Sequence, residues 1–375
     1  MIRKIGKKTL GLTVIVSLLS ACAAVPDRID PIPVDENRAV PAETPLTLAA
    51  TGDIMMDGSA RPEFSKLGYD YAFEYVGDIL RKADIAIGNL EGPLTTGGNN
   101  DVEKKYVFRS PPDKVATSLV NAGFDVFTLA NNHTLDYGVQ GLVDTMAALD
   151  RHGLAYSGAG LDSKAARKAV ILERKNRRIA FLGYSLTFPE EFWAAANRPG
   201  TAFGHESHVR KDVAKAKAEA DIVIVSFHWG REGTTELRPY QTALGRAAID
   251  AGAAAVLGHH PHILQGVERY KHGVILYSLG NFVFGSYSRK ARTSVIAQLS
   301  FDGNVVSSVE MVPINVFNPE VVFQPKILTG KQAASVLSEL DGLSRPMGVA
   351  VKNVNNVGLV GLTGTDDSDV SLLAR

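Results

Sequence analysis

Short apolar or β-branched runs recur along this chain, with segments of helical period between them. Leu46-Ala50, Ile85-Ile87, Val126-Leu129, Ile179-Leu182, Ile222-Val225, Ala254-Leu257 and Val274-Tyr277 read as buried strands. Residues 113–120, 141–149, 209–218 and 240–249 carry the spacing of amphipathic helices. Such alternation predicts an α/β chain built on a largely parallel, helix-covered sheet. The pattern changes near the end. Thr293-Phe301 and Val305-Val312 flank Asp302-Gly303-Asn304, a hairpin signal, and 332–340 reads as a helix begun by Thr329. The expected layout is a main domain over 46–290, a hairpin-helix extension of it over 291–345, and a loosely packed tail over 346–375 rich in Gly, Asn, Asp and Ser.

Polar groups follow the strands. Thr51-Gly52-Asp53 follows the first, Gly88-Asn89-Leu90-Glu91 the second and Ala130-Asn131-Asn132-His133 the third. Ser226-Phe227-His228-Trp229-Gly230, Gly258-His259-His260-Pro261-His262 and Ser278-Leu279-Gly280-Asn281 close three more. In a parallel sheet the carboxyl ends of the strands share one edge, where ligands bind, so these motifs are expected to converge in one cleft. Five of the nine histidines (His133, His228, His259, His260 and His262) fall at those ends, while His152, His205, His208 and His272 lie elsewhere. One isolated histidine more often packs its ring and bonds a carbonyl. Five at strand ends point instead to a metal site, and imidazole with one or two oxygen ligands suits Zn, Mn, Fe or Ni.

The sole cysteine is Cys22. Arg3, Lys4, Lys7 and Lys8 precede an apolar run from Leu10 to Leu19, and Leu19-Ser20-Ala21 leads into that cysteine. This is the order of a lipoprotein signal over residues 1–21, and the apolar run is shorter than the ~20 residues a spanning helix requires. Cys22 is thus the expected lipidation site, followed by a proline-rich linker through residue 45 that contains Pro26, Pro31, Pro33, Pro41 and Pro45. The expected location is extracytoplasmic and membrane-anchored; Ala23 after the cysteine favours the outer membrane of a two-membrane bacterium. Lipidation leaves no thiol for a disulfide, a metal or a nucleophile. The chain has 40 basic and 40 acidic residues, and removing the four basic residues of the signal leaves a net charge of −4, which argues against nucleic acid as a partner.

Together, Thr51-Gly52-Asp53-Ile54-Met55, Asn89-Leu90-Glu91-Gly92-Pro93, Ala130-Asn131-Asn132-His133, His228-Trp229-Gly230-x-Glu232, Gly258-His259-His260-Pro261-His262 and Tyr277-Ser278-Leu279-Gly280-Asn281-Phe282 resemble the bacterial capsule-biosynthesis CapA family, associated with poly-γ-glutamate. The match runs from about Leu46 to Phe284. That family is similar in turn to calcineurin-like metallophosphoesterases, so the resemblance implies a four-layer α/β/β/α sandwich. It also implies Asp53, Asn132, His228, His260 and His262 as ligands of a divalent transition metal (Mn, Fe or Zn), with His133 facing the substrate. Two departures stand out. Met55 occupies the position of a ligand histidine, and Asn89 replaces a bridging aspartate, with Glu91 two residues on and on the same side of an extended segment. One ion or two remain open on these residues.

Other residues have two readings each. Glu232 is either a proton acceptor or orienter of a ligand imidazole, or a solvated loop carboxylate. Trp229 is either a wall of the substrate site or an indole closing the core. Asn89 and Asn281 are candidate substrate contacts, Arg231 and Arg238 are candidate partners of an anion, and His259 is expected to point away from the site. The leading expectation is a metal-dependent hydrolase acting on an anionic envelope polymer, through an amide or a phosphoester. The alternative is a non-catalytic factor that uses the cleft to bind the polymer or its synthase complex. A third reading has the histidines only bracing loops.

Overall fold

The computed structural model describes residues 45–100 and 103–362. The expectations for the signal, Cys22 and the linker up to residue 44 lie outside the described residues. Among the described residues, no helix is long and apolar enough to cross a membrane.

The period-2 pattern of the strands explains the layering. Along Leu46–Met55, Leu46, Leu48 and Ala50 join one buried cluster, whereas Ala49 and Ile54 join another. Ile85 and Ile87 fall with the first set; Ala86 and Leu90 fall with the second. Strands buried on both faces need cover on both. On one side, Ala49, Ala86 and Phe127 pack with Leu80, Val115, Leu119 and Leu142 of the helices Gly77–Lys82, Pro112–Ala122 and Gly138–Arg151. On the other, Leu48, Ile87 and Val126 meet Phe181, Ile222, Ile224, Leu257 and Leu276, which belong to a second sheet. That sheet turns its other face, with Leu182, Val223, Val225 and Val256, to Val209 and Val213 of Glu206–Glu219 and to Leu244 and Ala248 of Pro239–Asp250. The result is helices, sheet, sheet, helices: the four-layer sandwich. The single sheet expected from the alternation alone is in fact two, because period-2 runs buried on both faces do not say which neighbour covers each face.

The first sheet has ten strands and the second six among the described residues. Leu46–Met55 sits centrally in the first, parallel to Ile85–Leu90, antiparallel to Thr293–Asp302 and, at its end, parallel to Asn281–Phe284. In the second, Arg177–Ser185, Ile222–His228, Ala255–His259 and Gly273–Leu276 run parallel. The expected hairpin forms as Thr293–Asp302 against Val305–Asn315. The expected helix becomes Gly330–Ser344, whose Ala333, Val336, Leu337 and Leu340 close one end of the inter-sheet core.

The expected loose tail is corrected. Val351–Val354 and Val357–Val360 form a hairpin that extends the first sheet, with Val351 and Val360 buried in the inter-sheet core. Its turn is Asn355-Asn356, both at positive φ (52° and 71°), the conformation a two-residue hairpin loop demands and asparagine tolerates. Four-residue strands are too short for periodicity to show them. Residues 363–375 lie outside the described set.

Close approach of backbones shapes the edge where the site forms. A Cβ on Gly52 would lie 1.9 Å from the carbonyl oxygen of Gly280, and one on Gly258 would lie 1.9 Å from that of Tyr277. No side chain fits at either place.

Candidate metal centre

Register places the polar groups. Asp53 lies opposite Asn89 on one neighbouring strand and Asn281 on the other, and His259 lies opposite His228. Asp53 is fully buried, with its carboxylate facing an amide, a backbone N–H and two imidazoles. Oδ1 accepts from Asn89 Nδ2 at 2.8 Å and lies 3.3 Å from His259 Nδ1. Oδ2 accepts from the backbone N–H of His260 at 3.2 Å and lies 3.0 Å from His262 Nδ1. Burial raises the pKa of this carboxyl, but His259 and His262 outweigh it and hold the group well below its usual value.

Glu91 contrasts with it. Oε2 accepts from Asn89 Nδ2 at 3.2 Å, whereas the buried Oε1 has no hydrogen-bond partner. Oε1 lies 3.7 Å from both His228 Nε2 and His262 Nε2. Burial and then the charge of Asp53 push the Glu91 carboxyl well above its usual range.

The imidazoles complete the cluster. His228 has Nδ1 3.2 Å from Asn89 Nδ2 and Nε2 2.7 Å from Asn132 Oδ1. Burial, reinforced by His260, pushes His228 well below its ordinary pKa. The His260 ring lies 4.7 Å from that of His228, and its buried Nδ1 has no partner. Burial, with His262 adding to it, lowers His260 to about 3. His262 is raised to about 9: burial opposes the charge, but Glu91 and Asp53 prevail. His260 and His262 both adopt positive φ, 94° and 58°. A non-glycine residue held there stores strain, and two within three positions mark a loop shaped for its side chains.

Unpaired buried polar atoms are costly, and this cluster holds Glu91 Oε1, His260 Nδ1 and both ring nitrogens of His259 among them. Glu91, His260 and His262 offer ligand atoms within 4.8 Å of one another, as do Asp53, Glu91 and His228. Nitrogen and carboxylate donors in this number suit a divalent transition metal, and a cation would give Glu91 Oε1 and His260 Nδ1 a partner. The residues present therefore fit the metal implied by the motifs.

His133 stands beside this cluster with a separate set of partners. Nδ1 lies 2.6 Å from Asp136 Oδ2, and the Phe108 ring packs 4.8 Å away. Lys104 donates to Asp136 Oδ1 and to the carbonyl of Asn132. Burial lowers the His133 pKa, and Asp136 partly offsets it.

Residues 47–286 match the family model described as bacterial capsule synthesis protein PGA_cap. This chain belongs to that family. A PGA_cap relative, the capsule biosynthesis protein CapA of Bacillus anthracis, is 35% identical over 277 residues, covering 72% of this chain and 67% of its own. The PGA biosynthesis protein CapA of Bacillus subtilis (strain 168) is 35% identical over 272 residues, 72% of each chain. A probable polyglutamine synthesis accessory protein of Mycobacterium tuberculosis is 36% identical over 211 residues, 53% of this chain and 55% of its own. Among solved structures, a putative 5'-nucleotidase from Staphylococcus aureus shares 18% identity at TM-score 0.48, over 72% of this chain and 54% of that one. A hypothetical protein from Thermus thermophilus shares 16% at 0.47, over 72% and 99%.

In this PGA_cap chain the geometry sorts the remaining candidates. Trp229 is a correction: it is fully buried, its indole stacked 4.6 Å from Phe227 and its N–H donating to the Tyr277 carbonyl at 2.9 Å, so it closes the core and walls no substrate. His259 is another. It does not point away: paired in register with His228, it brings Nδ1 to 3.3 Å from Asp53 Oδ1. Asn281 and Asn89, read as substrate contacts, are buried and committed: Asn281 Oδ1 lies 3.0 Å from His262 Nδ1, and Asn89 is bonded to Asp53 and Glu91. Glu232 is exposed and makes no hydrogen bond to a ligand imidazole among the described residues; its charge acts on Glu91, Lys104 and His262 from the rim. Asn132 Oδ1 lies 2.7 Å from His228 Nε2, and Met55 is buried. Two histidines off the cluster cap helices: His205 Nδ1 accepts from the Ser207 N–H, and His152 Nδ1 lies 2.8 Å from the Ala148 carbonyl.

Sequence reasoning missed Asp136, Lys104 and Asn131. Asp136 had a signal in the His133-x-x-Asp136 spacing within one turn. Asn131 lies in a quoted motif and braces it, donating to Asn89 Oδ1 and Leu90 O and accepting from the His133 N–H. Lys104 carried no signal, since only the loop's path brings it to Asp136.

Proposed function

We propose that this PGA_cap protein is a metal-dependent hydrolase acting on an anionic envelope polymer of the poly-γ-glutamate type, in company with the machinery that makes the polymer. It would work outside the cytoplasm, held to a membrane by a lipid on Cys22. The polymer class is taken from the resemblance and from the relatives' names, which speak of capsule and PGA biosynthesis in the two Bacillus proteins and of polyglutamine synthesis in the Mycobacterium one. One observation carries the chemistry: Glu91, His228, His260 and His262 converge around unpaired buried atoms, directly beside the His133–Asp136 pair.

Glu91, Asn132, His228, His260 and His262 would hold Mn, Fe or Zn. The bound metal supplies Lewis-acid polarisation of a carbonyl or phosphoryl oxygen. His133 handles the proton. Its burial keeps the ring neutral at pH 7, and Asp136 accepts from Nδ1 and so leaves Nε2 as the acceptor. Asp136 then stabilises the imidazolium, which returns its proton to the leaving nitrogen or oxygen as that bond breaks and water adds across it. Lys104 fixes Asp136 and the Asn132 backbone, and so the direction of His133. The exposed cations Arg231 and Arg238, on the loop after His228, suit an anionic chain.

The test is elemental analysis of protein purified without added metal, with turnover assays on poly-γ-glutamate and on a chromogenic phosphodiester. Near-stoichiometric metal and hydrolysis of either substrate, both lost in His228→Ala/His262→Ala, is the expected result. Unchanged metal content and activity in that double variant would refute the reading. A second reading, a polymer-binding assembly factor, is favoured by Asn89, whose amide donor stands where an anionic ligand would serve catalysis better. That protein would bind polymer and turn over neither substrate.

A further inference from the structure

We propose that a groove on the flank of the domain, built from none of the strand-end motifs, binds a polycarboxylate chain with an amide backbone. The proposal rests on the envelope-polymer reading above and names the part of the domain that holds the polymer.

Residues from 162–171 and 211–219 border a groove of about 880 Å³. Its walls are cationic. Lys164 and Lys168 stand on one side, in the helix Ser163–Ala166 and just after it; Lys211 and Lys215 stand on the other, one turn apart on Glu206–Glu219. Arg167 ties the walls together, donating to both oxygens of Asp212 at 2.7 Å. The carboxylates of the groove are engaged. Asp212 also accepts from the Tyr184 hydroxyl at 3.1 Å, Asp162 caps the short helix by accepting from the Ala165 N–H at 2.7 Å, and Glu219 lies 4.0 Å from Lys215. Lys164, Lys168 and Lys211 are exposed and form no ion pair among the described residues. Like charges four apart on a helix repel, so an anion lying between the walls relieves Lys211 and Lys215.

The floor sets the class of anion. Ala169, Val170, Ile171 and Ala216 supply small apolar surface. Val170–Arg174 is the last strand of the second sheet and, among the described residues, pairs on one side only, with Arg177–Ser185. An edge strand carries a row of free N–H and C=O groups, on which an extended polyamide can align. A chain of γ-linked glutamyl units offers what each surface takes: carboxylates for the lysines, methylenes for the floor and amides for the strand edge. A phosphate polymer brings no amides, and a flat membrane does not reach both walls of a groove. A second cavity of about 620 Å³ shares Ala165, Lys168, Ala169 and Val170 with the first and runs on to Tyr156 and Leu161, so the groove is long enough for a chain and not only for a small molecule.

The experiment uses the full chain carrying Cys22→Ser, so that no lipid enters the readings, with fluorescently labelled poly-γ-glutamate as the probe. Kd is read by anisotropy over a range of salt, beside binding to vesicles of phosphatidylglycerol and phosphatidylethanolamine. Lys164→Gln/Lys168→Gln/Lys211→Gln is expected to weaken Kd about 10-fold or more at low salt and to flatten its salt dependence. Lys66→Gln/Lys82→Gln/Lys331→Gln removes the same charge from exposed positions elsewhere and should leave Kd within about twofold. In the parent, bound polymer should slow hydrogen exchange over residues 169–174. Equal weakening in the two triple variants, or protection confined to the loops after His228 and His259, overturns the groove and leaves the polymer reading standing. Binding to vesicles but not to polymer, lost with the three lysines, assigns the groove to a lipid surface and overturns the proposal. No polymer binding by the parent overturns both. Groove binding without turnover supports the proposal and removes only the hydrolysis. Circular dichroism on each variant separates loss of binding from loss of fold.

Discussion

Asp136 Oδ2 sits 2.6 Å from Nδ1 of His133 while its other oxygen is held by Lys104, so one buried carboxylate sets the direction of an imidazole beside the metal-ligand cluster. An amide in its place presents donor and acceptor together and no charge to stabilise an imidazolium. Asp136→Asn is therefore expected to lower the turnover of whichever substrate is hydrolysed by about 10²-fold or more. Metal content should stay unchanged, since Asp136 touches no ligand side chain of the cluster. Equal turnover in the variant would remove His133 from the proton-handling role.

Trp229 gives a stability test of its reassignment. It is stacked between Phe227 and Tyr277 with its N–H paired, so Trp229→Ala should cost about 3–5 kcal/mol of unfolding free energy, read from denaturant titration. Trp229→Phe keeps an aromatic ring but leaves the buried Tyr277 carbonyl unpaired, a loss of about 1–3 kcal/mol. A wall of an open substrate site would show little change in either measurement.

What could be read beforehand divides along physical lines. Asp53, Asn132, His228 and His262 were legible because strand ends are readable from apolar runs, and polar groups after parallel strands gather at one edge. His259 was not: in a run of three histidines around one proline, which ring turns inward depends on backbone φ at His260 and His262, and composition carries no trace of a positive φ. The committed state of Asn89 and Asn281 was equally hidden, because it arises from pairing between strands far apart in sequence. The hairpin at Val351–Val360 was missed for want of length, although Asn355-Asn356 was a turn signal in plain view.

The lipid anchor is tested apart from the cleft. If Cys22 is the modified residue, Cys22→Ser should abolish incorporation of labelled fatty acid and move the protein from the membrane pellet to the soluble extracytoplasmic fraction. Metal content and turnover of the purified protein should not change, because the described domain contains no part of residues 1–44. Continued membrane retention without the thiol would mean that another element anchors the chain.

Removing the metal should make stability depend steeply on pH, in opposite directions on the two sides of about pH 6.5. His228, His133 and His260, the last lowered to about 3, refuse protons that the unfolded chain accepts near 6.5, so falling pH favours unfolding. His262, raised to about 9, binds its proton more tightly folded than unfolded; its contribution is complete below 6.5 and is lost as pH rises through 9. Glu91, pushed up by burial and Asp53, also loses stability as pH rises above the ordinary carboxyl range. Near pH 5, the histidines of the cluster that refuse protons outnumber one protonated carboxyl, so stability climbs with pH; towards pH 8 and 9 the loss of the His262 proton takes over, and it declines. Thermal melts of chelator-treated protein from pH 5 to 9 should peak near 6.5. Restoring the ion should raise Tm more at pH 8 than at pH 5, because bound cation replaces the protons on Glu91 and competes with those taken up by the histidines in acid. A metal-free Tm independent of pH would mean that these groups are not held as the cluster holds them.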